Sequence, residues 1–303
     1  MNWEMFDKYQ QQQIQFGLQD GIDVNVYADI KYDANQMREI RFGLQEDLDV
    51  SLYADSKYND GQMSEIRKGL ENSVDVSLYA DPQFNFHQMQ LIREGFEEGL
   101  DVSAYADPKF STGQMQQIRK GLENDVDVLI YTDPKYDHEQ MEAIRWGLEK
   151  GVDVSVYADP KFNAGQMIAI RDGLEDGVDV SIYADQKYES RQMQQIRLGL
   201  KNDVDVSIYA DPKYDFEQMQ QIQFGLQDGI DVNVYADIKY DANQMREIRY
   251  GLEKDLDASI YTDPKNNWRQ MKLIRLDLEK GLELQHDRPA VQLNKPTGKG
   301  LER

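Results

Sequence analysis

Apolar residues stand at Met37, Ile40, Leu44 and Leu48, in steps of three and four, and the pattern returns every 26 residues from Met37 to Met271 without insertion or deletion. Such steps draw one apolar stripe along an α-helix. The stripe sits in a fixed frame, Gln-Met-x-x-Ile-Arg-x-Gly-Leu, intact at Gln36–Leu44 and followed as far as Gln270–Leu278. An unbroken period of this size is a repeat array, so length counts copies and not domains.

A unit read from Asp33 begins with a helix cap. Asp33 is followed three residues later by Gln36, the arrangement in which cap and third-residue side chains satisfy each other's backbone donors. The cap place runs Asp33, Asn59, Asn85, Ser111, Asp137, Asn163, Glu189, Asp215, Asp241 and Asn267, of which only Glu189 is a poor cap. Gly43 recurs through Gly251 inside the helix, where glycine costs ~1 kcal/mol against alanine, so a neighbouring backbone is expected to come close there. The helix is expected to end near residue 47, with Gly99, Gly151, Gly177, Gly229 and Gly281 as left-handed caps and Asp, Asn or Ser in the other copies. About 13 residues of helix do not hold without packing, so each unit needs its neighbours.

The second half of the unit, Leu48–Asp55, fits two patterns. Leu48, Val50 and Leu52 alternate as in a strand, while Val50, Tyr53 and Ala54 share one helical face. A short second helix is preferred, capped by Asp49 and ended by the prolines at Pro82, Pro108, Pro134, Pro160, Pro212 and Pro264. The fold class predicted is therefore all-α, an α-solenoid of about eleven 26-residue helix-pair repeats, with an α/β horseshoe carrying one strand per repeat as the alternative.

Residues 1–32 read as an N-terminal cap with an eroded first copy, Gln11 standing where later copies have Met; residues 33–282 are the array; residues 283–303, with Pro289, Pro296, Gly298 and Gly300, read as a disordered tail or linker. Gln12–Arg41 and Gln220–Arg249 are identical, a shift of 208 residues or eight periods. Neighbouring copies are less alike, so the array grew by unequal exchange or from blocks.

Composition narrows the partners. The net charge of -22 argues against free nucleic acid, since binding a polyanion takes clustered Lys and Arg. A basic or nucleic-acid-binding protein is the better partner. With no cysteine there are no disulfides and no thiolate metal sites, which fits a reducing cytosol. The start, Met1–Met5, has no basic stretch leading into an apolar run, so neither secretion nor membrane insertion is expected.

The rows of like residues each have a structural and a functional meaning. Asp49, Asp75, Asp101 and Asp127, with Asp55, Asp81 and Asp107, could present calcium ligands, but no dense Asp-x-Asp-x-Asp-Gly loop occurs and capping is preferred. The arginines from Arg41 to Arg275, interrupted by Gln15 and Gln223, could bind anions. Arg67 with Glu71, Arg93 with Glu97 and Arg119 with Glu123 pair along a helix instead, and the next unit's Asp row is a further partner. The tyrosines from Tyr27 to Tyr261 and the methionines are read as core. His87, His138 and His286 stand at unrelated places, and neither a catalytic set nor a cofactor motif is present. No enzyme, no metal and no cofactor is expected.

What varies is the outer stripe of the first helix, the places of residues 34, 38 and 42. It carries Phe42, Phe86, Trp146, Leu198, Phe216, Phe224, Tyr250 and Trp268 among charged residues. Aromatic residues on such a face are what protein interfaces use, and these eight are the candidate protein-binding residues. The expected function is a scaffold or adaptor; the alternative is an acidic mimic of nucleic acid that occupies a DNA- or RNA-binding protein.

The phrase Gly-Leu-Glu-x-Gly-Val-Asp-Val-Ser-x-Tyr-Ala-Asp-Pro-Lys-Phe at Gly147–Phe162 resembles a short tandem repeat of gut Firmicutes proteins and of large proteins of their plasmids and phages; the resemblance covers residues 6–282. It implies a cytosolic protein of a bacterium or mobile element and brings no activity with it. The Glu-x-Gly-Val-Asp-Val-Ser part is also similar to the end of an ankyrin repeat, although the 26-residue period and the missing Thr-Pro-Leu-His turn keep the chain outside that family.

Overall fold

A computed structural model describes residues 3–286. Among these residues the fold is all-α with no strand, so the helical-repeat solenoid is the observed class and the horseshoe is not. Eleven α-helices follow one another: α1 Lys8–Gln19, α2 Ala34–Gln45, α3 Asp60–Glu71, α4 Phe86–Glu97, α5 Thr112–Glu123, α6 His138–Lys150, α7 Ala164–Asp176, α8 Ser190–Lys201, α9 Phe216–Gln227, α10 Ala242–Leu252 and α11 Trp268–His286. The chain falls into two compact units, Met1–Arg171 and Asp172–Arg303, with the division inside α7. Within the first, helices from α1 to α6 pack on one another in chain order; within the second, α8 to α11 do the same.

The helices start where the caps stand. Asp33 accepts from the Gln36 N–H at 2.9 Å while the Gln36 Oε1 accepts from the Asp33 N–H at 2.8 Å. At Glu189 the return bond to Gln192 Oε1 is kept at 2.7 Å, but the longer carboxylate makes no cap bond of its own. The helices also end as the sequence predicts: Gly21, Gly99, Gly151, Gly177 and Gly229 have φ of 71–75°, and Asp47, Ser73, Asp125, Asp203 and Asp255 take the same left-handed conformation at 54–59°. Gly281 is the exception, because α11 runs past it to His286. The expected tail thus begins inside a helix, and residues 287–303 lie outside those described.

The second member of each unit is helical but much smaller than a second α-helix. It is a single 3-10 turn, Val50–Leu52 in the unit of α2, capped by Asp49, whose carboxylate accepts from the Ser51 N–H at 3.1 Å. One turn suffices because it brings Val50 and Tyr53, three residues apart, onto the same side, where both are buried. The chain then reverses through a β-turn in which the Phe84 N–H donates to the Asp81 carbonyl at 3.0 Å and Pro82 takes the second position, where its fixed φ fits.

Met37, Ile40 and Tyr53 are fully buried, as are their counterparts along the array except Ile274 of the last copy, which is half-buried, and they form the core. Two polar ladders join adjacent copies. The Gln36 Nε2 donates to the Tyr58 carbonyl at 2.6 Å, and the Tyr58 hydroxyl donates to the Ala80 carbonyl at 2.6 Å. The first satisfies a buried carbonyl at the mouth of the next helix, the second a part-buried carbonyl just after the next copy's 3-10 turn. The crowding at Gly43 comes from the Tyr53 hydroxyl and not from a neighbouring backbone.

The first copy is a full structural unit despite Gln11. Its helix α1 carries the capping box of Asp7 and Gln10. The Gln11 Nε2 donates to the carbonyls of Trp3 at 2.8 Å and Phe6 at 2.9 Å, bonds that methionine could not make.

Candidate protein-binding face

The outer stripe predicted from the places of residues 34, 38 and 42 lies beside the arginine row, and the two interlock. The Arg41 guanidinium lies 4.6 Å from the centroid of the Phe42 ring and Arg67 lies 5.6 Å from it, so the ring is held between its own arginine and that of the next helix. Trp146 sits in the same way between Arg145 at 5.8 Å and Arg171 at 6.0 Å, and Tyr250 between Arg249 at 4.8 Å and Arg275 at 5.5 Å. Each contact of this kind is worth roughly 0.5–1 kcal/mol at exposed sites. These rings therefore brace the seam between copies while one face stays accessible.

The eight residues are not gathered in one patch. In the unit Met1–Arg171, Phe42, Phe86 and Trp146 stand on α2, α4 and α6, and Lys68, Glu94 and Lys120 occupy the place of Phe42 on the helices between α2 and α6. In the unit Asp172–Arg303, Leu198, Phe224 and Tyr250 stand at the same place on the successive helices α8, α9 and α10, an apolar row uninterrupted by charge. Phe224 and Tyr250 share Arg249. Phe86, Trp146, Leu198 and Phe224 are exposed; Phe42, Phe216, Tyr250 and Trp268 are half-buried. Phe216 lies under Arg191, 5.0 Å from its ring centroid, and Trp268 is 5.0 Å from Arg269. The Phe86 ring lies 3.8 Å from that of His87, tilted at 36°, and fits against the bare backbone of Gly61.

The arginines pair, but not with the Asp row. Arg67 Nε donates to Glu39 of the preceding copy at 3.1 Å, Arg93 to Glu65 at 2.9 Å, and Arg275 to Glu247 at 2.9 Å through Nη2. The pairs along the helix form as well, Arg67 with Glu71, Arg93 with Glu97 at 2.7 Å and Arg119 with Glu123 at 3.2 Å. Spacing along the chain does not reveal Glu39 as a partner, because it lies 28 residues from its arginine. Leu91 takes that position opposite Arg119, which turns instead to Glu98 at 2.6 Å through Nη2, while its Nε lies 3.2 Å from Glu123 of its own helix. Where the row is interrupted, Gln223 meets Gln195 as an amide pair.

The acidic rows serve the turns. Asp75 takes the Ser77 hydroxyl and N–H, which hold its carboxyl below the usual range. Asp159 accepts from the Lys161 N–H at 3.0 Å and meets its ammonium group at 2.9 Å, and both lower its pKa. Among the described residues no group of three or more His, Asp or Glu could hold a metal ion. The tyrosine row is core: the Tyr53 hydroxyl donates to the Glu39 carbonyl at 3.2 Å and those of Tyr79, Tyr105, Tyr131 and Tyr235 donate to the matching carbonyls, whereas the buried hydroxyls of Tyr209 and Tyr261 have no partner.

One open groove, of about 550 Å³, lies on the outer face between α6 and the first half of α7, lined by Glu139, Glu142, Ala143, Trp146, Ile168 and Arg171 with Ala164 and Gly165. Four of these eight stand at the places of residues 34, 38 and 42: Ala164, Glu142, Ile168 and Trp146; Gly165 is next to Ala164. No helix among the described residues is long and apolar enough to cross a membrane. Compared with protein-family models, curated proteins and solved structures, the chain matches none.

Proposed function

We propose that the chain is a non-enzymatic protein-binding scaffold or adaptor that meets its partner with the outer face of its α-helices. The observation that carries this is a division of labour within the 26-residue unit. Residues that cap, pack or join copies are repeated almost without change, whereas those on the outer stripe differ from copy to copy and include exposed rings. A stripe free to vary over a rigid frame can be fitted to a partner without loss of fold, and buried aromatics carry much of the energy of such contacts. The lack of cysteine and the motif resemblance support a bacterial or mobile-element protein of the cytosol.

Capture from a native lysate at roughly 0.1 and 1 M salt, where charges are screened beyond about 10 and 3 Å, tests this. Partners held by the rings stay bound at high salt and are lost on Phe42→Ala, Trp146→Ala or Phe224→Ala. If capture is indifferent to all three substitutions, the face is not the binding surface.

A second reading is favoured by the row of Asp49. These carboxylates are exposed, one per copy, and Asp49 takes its bonds from Ser51, whereas Asp55 has Lys57 beside it at 3.5 Å. A regular row of open charge supports a nucleic-acid mimic. A mimic captures basic nucleic-acid-binding proteins, lets go of them at high salt and ignores the ring substitutions.

A further inference from the structure

The groove between α6 and α7 exists because three small residues meet at one seam. The place of Glu39 in the unit is filled by Glu39, Glu65, Leu91, Gln117, Gln195, Gln221 and Glu247 in other copies, side chains long enough to cover the seam beside the next helix. Here it is Ala143, which is buried, and the following helix opens with Ala164 and Gly165. Only Ala169 is as small, and in the copy after it Arg191 stands in the place of Gly165. Trp146 forms one wall, 45% exposed and steadied by Arg145 and Arg171. Ile168 faces into the same space. Glu139, exposed, and Glu142, which reaches Arg145 at 3.7 Å, make the rim on the α6 side.

We propose that this groove is the anchor pocket of the binding face, taking one bulky apolar side chain of a partner protein whose neighbouring Lys or Arg residues meet Glu139 and Glu142. The proposal rests on the protein-binding reading given above. An apolar floor with an aromatic wall and a few charged groups at the rim is how such pockets fix both grip and orientation. The charge decides the partner's flanks: with -22 on the chain, a second copy or any acidic segment would set like charge against like, while a basic segment is drawn in. A short helix or extended strand with one Leu, Met, Phe or Trp among basic residues fits both features.

The test uses the full chain and two arrays of 12-residue peptides. Each peptide carries Leu, Met, Phe or Trp at its centre, with Lys and Arg as flanks in one array and Asp and Glu in the other; binding is read from the anisotropy of labelled peptides. Basic-flanked peptides are expected to bind the wild type and the acidic-flanked ones at least about tenfold more weakly. Ala143→Gln installs the residue found at this place in the preceding copy, where Gln117 accepts from Arg145 at 3.1 Å, so the fold is kept while the groove is filled. It should weaken basic-flanked binding by about tenfold or more. The double substitution Glu139→Lys with Glu142→Lys changes two rim side chains, giving up the Glu142 contact to Arg145 while Arg145 keeps Gln117 at 3.1 Å, and should turn the preference towards acidic flanks. No binding in either array up to about 1 mM, equal binding of both, or binding indifferent to Ala143→Gln and to the charge reversal overturns the proposal. A lysate partner lost on Phe42→Ala or Phe224→Ala but kept by Ala143→Gln would sink the pocket and leave the face standing.

Discussion

Gly43 and Tyr53 claim the same space: a Cβ built on Gly43 would overlap the Tyr53 hydroxyl, and the Val50 Cγ1 lies 2.9 Å from it. The phenol lies across the glycine's bare backbone and donates to the Glu39 carbonyl at 3.2 Å. The same pair recurs ten residues apart from Gly17 with Tyr27 to Gly251 with Tyr261. At Asp277, where the glycine is lost, the residue ten further on is Asp287 and not tyrosine.

Gly43→Ala should therefore destabilise the chain although alanine is the better helix former. The propensity gain is ~1 kcal/mol, while overpacking a filled core costs about 1–3 kcal/mol. Adding Tyr53→Phe removes the hydroxyl that meets the new methyl. Thermal melts should place the double variant above Gly43→Ala alone; the reverse order would mean that the hydroxyl is not what excludes the side chain.

Alkali should unfold the array. Burial pushes the hydroxyls of Tyr27 and Tyr261 from 10.0 to about 12, and those of Tyr53, Tyr79 and Tyr131 higher. The folded state holds these protons more tightly than the unfolded chain does. The stability they contribute is whole below pH 10 and is lost as pH rises towards and through about 12. Ultraviolet titration should show the buried tyrosines ionising together with the loss of helical circular dichroism; their ionisation before any loss of helix would contradict this.

Gln88 serves two helices at once. Its Oε1 accepts from the Asn85 N–H at 2.7 Å and its Nε2 donates to the Phe110 carbonyl at 2.6 Å. Gln88→Leu leaves the Phe110 carbonyl buried without a partner, at about 1–3 kcal/mol, and takes the return bond from the part-buried Asn85 N–H. Amide exchange should quicken at the N-termini of α4 and α5 and not in α1 or α11. Uniform quickening along the chain would contradict a bond that ties only neighbours.

Gln221→Glu should stabilise. Gln221 Oε1 and Arg249 Nε are both buried without a partner, 28 residues apart as Glu65 and Arg93 are. A carboxylate would complete that pair, worth roughly 1 kcal/mol after the cost of burying charge. The melting temperature should rise. Glu247→Gln, which removes the acceptor of Arg275, should lower it.

The sequence alone determined the period, the helix with its start and end, and the buried stripe of Met37 and Ile40. Those depend on residues within four places of one another, where spacing and cap chemistry leave little choice. It also located the outer stripe, because whatever faces a helix's own core leaves the opposite side free to vary. It did not determine that Val50 and Tyr53 need only one 3-10 turn, nor that Gly43 makes room for a phenol. Nor did it show that Arg67 pairs with Glu39, 28 residues away, or that Gln36 reaches Tyr58, 22 residues away. These contacts join one copy to the next, and their distances follow from how adjacent helices stack. The groove beside Trp146 belongs to the same class, since Ala143, Ala164 and Gly165 are unremarkable until two helices set them side by side.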